Sequence, residues 1–113
     1  MSWESTRARV EQLAASVRFD VSRATVRAGD RLPAARDVAE SLDINVHTVL
    51  RAYQLLRDEG LIELRPGRGA VVTAQAGNYT ELGEAIPRLV AQAQILGVSV
   101  TALNAMIRQE YNA

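Results

Sequence analysis

Apolar residues recur at helical spacing at Val10, Leu13, Ala14, Val17 and Val21, which predicts an amphipathic helix over about 5–22. The pattern fails between Ser22 and Leu32, where Ala28-Gly29-Asp30 signals a turn. Pro33 stands just before a second helix, over about 34–42, with Val38, Ala39 and Leu42 inward. Asp43-Ile44-Asn45 then interrupts. Asn45 suits the N-cap of a third helix, over about 46–59, because its side-chain oxygen can accept an orphan backbone N–H. Gly60 is a natural stop after it.

The spacing then changes. Leu61–Arg65 and Ala70–Thr73 read as two short strands, joined by the four-residue loop Pro66-Gly67-Arg68-Gly69. Ala74 to Asn78 reads as a small polar linker. Beyond it Leu82, Ile86, Leu89, Ala93 and Leu96 form an apolar stripe that Gly97 ends. Ser99 or Thr101 can cap a last helix with Val100, Leu103 and Ile107 inward. Pro87 should either kink the fourth helix or start it.

The expected fold is mainly α with a small β-hairpin: a winged helix-turn-helix over residues 1–73, then a helical tail over 74–113. At about 100° per residue, Val49, Ala52, Tyr53 and Leu56 share one face of the third helix. His47, Arg51 and Gln54 lie opposite, with Thr48 at the flank. That outer face offers donors and acceptors suited to base edges and phosphates. His47 also has a plainer reading as an exposed histidine, Thr48 as a packing residue and Asn45 as a cap alone.

Composition narrows the choices. The chain has 113 residues, 13 basic and 13 acidic, and every basic residue is arginine. Net charge zero excludes a strongly basic nucleic-acid wrapper. Absent cysteine excludes thiol catalysis and thiolate metal sites, and the single histidine excludes zinc sites built from several histidines. The start carries no signal-peptide core and no run approaches a membrane span, so the expectation is a cytoplasmic protein with no metal and no cofactor. No nucleophile–base set surrounds His47, and Gly67-Arg68-Gly69 precedes no helix, so no catalytic role is expected.

Three ordered motifs resemble those of GntR-family bacterial regulators. Asp30-Arg31-Leu32-Pro33-Ala34-Ala35-Arg36-Asp37-Val38-Ala39 is similar to the family's GDxLPSxRxLA signature. Asn45–Tyr53 is similar to its VNxNTVxRAY recognition helix, and Glu59–Glu63 with Gly67-Arg68-Gly69 to its wing. The match spans about residues 8–73, and the short helical tail resembles the YtrA-like subfamily of small dimeric repressors, often of ABC-transporter operons. Ala34 replaces a usual serine, Ala28 a common proline and Ala70 a common threonine.

The resemblance implies double-stranded DNA as partner, read as an inverted repeat by a homodimer. It implies DNA contacts from Arg36, Asn45, His47, Thr48 and Arg51. In the wing it implies contacts from Arg65, Gly67, Arg68 and Gly69, with Arg68 in or near the minor groove. Leu82, Ile86, Leu89, Ala93, Leu96, Leu103 and Ile107 are the expected dimer residues. The alternative is a winged-helix module that binds protein instead of DNA, which the polar outer face disfavours. The 40 tail residues are too few to enclose a small-molecule pocket of ~300 Å³ alone. No effector is therefore assigned.

Overall fold

A computed structural model describes residues 3–113; Met1 and Ser2, where the reading of the chain start falls, lie outside the described residues. The order is α1 (Trp3–Ser22), α2 (Ala35–Leu42), α3 (Val46–Asp58), β1 (Ile62–Arg65), β2 (Gly69–Val72), α4 (Ala76–Ile95) and α5 (Val100–Tyr111). The expected fold class is the observed one.

The core forms where the stripes meet. Ala14 and Val21 of α1, Ala39 of α2 and Val49, Tyr53 and Leu56 of α3 are buried together with Leu61, Ile62, Ala70 and Val72. Leu42 escapes: expected inward, it is 53% exposed and lines an open groove with Leu13 of α1 and Ile44.

Helix ends are closed locally. The Asn45 side chain accepts from the His47 backbone N–H at 2.8 Å, as a cap should. Ala34, at the corresponding place before α2, makes no side-chain cap bond. After α3, Gly60 N–H donates to the Arg57 carbonyl and Leu61 N–H to the Leu56 carbonyl. This is the Schellman pair, with Leu56 and Leu61 both fully buried as its apolar contact. The turn after α2 repeats it, Ile44 N–H donating to the Ala39 carbonyl, with Asp43 left-handed at φ 53°.

The hairpin is antiparallel, with Ile62 opposite Val72 and Arg65 opposite Gly69. Gly69 is therefore in the ladder, and the loop has three residues, Pro66 to Arg68, where four were expected. Arg68 N–H bonds to the Arg65 carbonyl, and Gly67 holds φ +76° at the third turn position, which a side chain would resist. The supposedly patternless segment adds a third, short edge. Gly29 N–H donates to the Val72 carbonyl, Val72 N–H to the Asp30 carbonyl and Leu32 N–H to the Ala70 carbonyl.

Two readings of the tail change. The linker after the wing is short, because α4 already begins at Ala76, which is buried against the core. Pro87 lies inside α4 and does not start it. Having no N–H, it leaves the Gly83 carbonyl without its helical donor. The first half of α4 packs on α1. There the Thr80 hydroxyl lies 3.4 Å from the Val21 carbonyl, and a Cβ on Gly83 would sit 2.2 Å from the Ser22 carbonyl oxygen.

Candidate nucleic-acid interface

The third helix presents the face its sequence encodes. Val49, Ala52, Tyr53 and Leu56 are buried, while His47, Arg51 and Gln54 are exposed. Thr48 departs from its assignment as a contact residue. It is 5% exposed, on the packed side of the helix, so its hydroxyl is not presented outward. Leu50 was missed: it is exposed, about 40–60° around the helix from Gln54 and His47. An exposed leucine there is suited to a thymine methyl group.

The cations occupy three elements. Arg36 is exposed in the first turn of α2, Arg51 in the middle of α3 and Arg68 at the hairpin tip. Among the described residues none of these three forms an ion pair; the i,i+4 partner Glu40 does not hold Arg36. Unpaired guanidiniums need not break an internal bond to meet phosphate or guanine. Arg65 differs, since it donates twice to the Glu63 carboxylate, at 2.9 and 2.7 Å. Asn45 is exposed, but its Oδ1 is already occupied by the cap bond, which leaves its amide nitrogen to donate. Gly67 and Gly69 are exposed with positive φ and shape the tip that carries Arg68.

The frame behind this face is tied by two long-range contacts that no local pattern announced. The Tyr53 hydroxyl donates to the Pro33 carbonyl at 2.6 Å. Burial pushes the Tyr53 phenol above its ordinary pKa. Arg18 of α1 donates through two nitrogens to the two Glu59 carboxylate oxygens at the end of α3. That bond to Glu59 holds the Arg18 guanidinium above its ordinary pKa.

The tail carries the remaining candidates. Leu82, Ile86, Leu89, Leu96 and Ile107 are exposed, and Leu103 is half-buried. Ala93 was expected on the same open stripe but is buried within the chain. Val100, expected inward, is 71% exposed. No group of three or more metal-ligating side chains gathers among the described residues.

Known proteins share this arrangement. The family model for bacterial regulatory proteins of the gntR family matches residues 9–72. The HTH-type transcriptional repressor YtrA of Bacillus subtilis is 32% identical over 90 residues, covering 74% of this chain and 69% of that protein. The regulator YhcF of the same organism is 28% identical over 81 residues, covering 72% and 67%. A GntR family transcriptional regulator from Listeria monocytogenes superposes with a TM-score of 0.60 at 23% identity, over 88% of this chain and 92% of that one. YtrA from Sulfolobus acidocaldarius gives 0.55 at 24% identity, over 91% and 87%. These two structures share the fold over most of the chain. With its family model matched over residues 9–72, the chain belongs to the GntR family, as a DNA-binding transcriptional regulator of the YtrA-like kind.

Proposed function

We propose that the chain is a homodimeric repressor that reads an inverted-repeat operator in the cytoplasm. The observation that carries the dimer is the open apolar face of the tail. Leu82, Ile86, Leu89 and Leu96 are 41–78% exposed on a chain whose winged unit already has its own buried core. Contiguous apolar surface of this kind marks an interaction site. A second copy supplies the matching face by twofold symmetry and the second reading head that useful genomic specificity requires.

Within each head Arg51, His47, Gln54 and Leu50 face base edges, Arg36 and Asn45 meet the backbone, and Arg68 reaches toward the minor groove. Thr48 is withdrawn from that set on its burial. Arg65, paired with Glu63, contributes less. The fold serves binding and no catalysis, and needs no cofactor. The likeness to the YtrA repressor supports repression, and an adjacent permease and ATPase gene pair would fit an ABC-transporter operon as its target.

Sedimentation equilibrium with a gel-shift series on the chain's own promoter tests this. The wild type should be a dimer that shifts a full inverted repeat far better than a half-site. Ile86→Glu with Leu89→Glu should yield folded monomers with at least a hundredfold weaker operator binding. A monomeric wild type, or a double variant that still binds fully, overturns the proposal.

A further inference from the structure

The tail cannot enclose a pocket, but the winged unit itself contains one. A cavity of about 310 Å³ lies between α1, the Val26–Pro33 segment and the α2–α3 pair. It reaches the lower end of the ~300–1,000 Å³ range of small-molecule sites. Its α1 wall is Leu13, Ser16, Val17 and Asp20, spaced i, i+3, i+4 and i+7, so their side chains share one helical face. Val38 and Val49 form the opposite wall.

The walls of the cavity are tied to the rest of the fold. Its roof at Leu32–Pro33 is fixed on one side by the Leu32 N–H bond to Ala70 and on the other by the Tyr53 hydroxyl. The α1 wall is fixed by Arg18 on Glu59.

One charged group stands in this apolar lining. Among the described residues the half-exposed Asp20 carboxylate forms no ion pair. Its backbone carbonyl, by contrast, accepts from Thr25 and Val26. A lone carboxylate at the end of an apolar cavity is complementary to a cation on an apolar body, because a charge-assisted bond then replaces water on both partners. We infer that this cavity is a binding site for a small apolar ammonium compound, with Asp20 as its counter-ion.

Titration calorimetry on the full chain without DNA tests this with three probes of one shape. These are 2-phenylethylammonium, the neutral 2-phenylethanol and the anionic 3-phenylpropionate. The ammonium should bind once per chain, about tenfold more tightly than the alcohol, with the anion weakest. Asp20→Asn should remove that tenfold preference and leave alcohol binding in place. Ser16→Phe fills the cavity from an exposed helical position and should abolish binding of all three while the far-UV spectrum is kept. No ammonium binding at millimolar concentration overturns the inference. So does a preference that survives Asp20→Asn, or Ser16→Phe changing the oligomeric state while binding persists, since the cavity would then belong to an interface between copies.

Discussion

The hydroxyl of Tyr53 donates a 2.6 Å hydrogen bond to the carbonyl of Pro33. It joins the inner side of the reading helix to the segment that leads into α2, so the two helices of the DNA-binding motif share one anchor. Tyr53→Phe should cost about 1 kcal/mol at neutral pH, the usual net value of one such bond. Because burial raises the phenol's pKa above 10.0, the tyrosine's contribution is complete below about pH 10. It declines as pH rises through the folded-state value, since the unfolded chain ionises first. Urea titrations at pH 7 and at alkaline pH should show the wild type losing more stability than Tyr53→Phe over that interval.

Gly83 has a tighter constraint. Any Cβ there meets the Ser22 carbonyl oxygen at 2.2 Å, and a backbone atom cannot swing aside as a side-chain tip can. Gly83→Ala should destabilise by about 1–3 kcal/mol even though alanine is the better helix former. Calorimetric unfolding should show the lowered Tm, and an unchanged or raised Tm would contradict the close packing of α4 on α1.

Ala24 should respond in the opposite direction. It ends α1 at φ 59°, a left-handed conformation that alanine adopts only with strain. Thr25 N–H and Ala24 N–H already make the bonds of a glycine-type helix end, to the Asp20 and Val21 carbonyls. Ala24→Gly should therefore stabilise by roughly 1 kcal/mol, less the unfolded-state entropy that glycine adds. A higher urea midpoint with unchanged slope is the expected result.

The wing separates two arginines of equal charge. Arg68→Ala should reduce the slope of log K against log salt by about 1, as loss of one cation from the DNA face does. Arg65→Ala should change it less, because Arg65 already shares its charge with Glu63. Arg51→Ala should instead weaken operator binding by about 1–3 kcal/mol and relax preference at one base position. Binding isotherms at several salt concentrations distinguish the three.

Where a residue's environment is set by its near neighbours, the sequence was readable. Asn45 announced the start of the reading helix and Gly60 its end, and helical angle sorted Arg51 from Val49. Angle alone misplaced Leu42, because it says which side a residue faces and not whether a partner lies there. Helical angle also puts Leu50 on the outer face, but an apolar side chain carries no mark of DNA contact in the sequence. The edge at Gly29–Leu32 was invisible, since its bonds go to β2 some 40 residues on and its side chains show no alternation. Arg18 with Glu59, separated by 41 residues, was hidden for the same reason. Gly83 carried a trace of its role, as a lone glycine in an otherwise helical run.

Gly83 and Pro87 stand four residues apart in α4, one lacking a side chain and the other lacking the N–H its partner carbonyl would take. N-terminal to this pair the helix is fastened to α1; C-terminal to it lie the exposed Leu89 and Leu96. In the proposed dimer the two reading heads would thus be joined through a helix that lacks one backbone hydrogen bond in each chain. Operators whose half-sites differ slightly in spacing or phase could then be engaged by a change of angle at two joints, with both heads and their seam to α1 left intact.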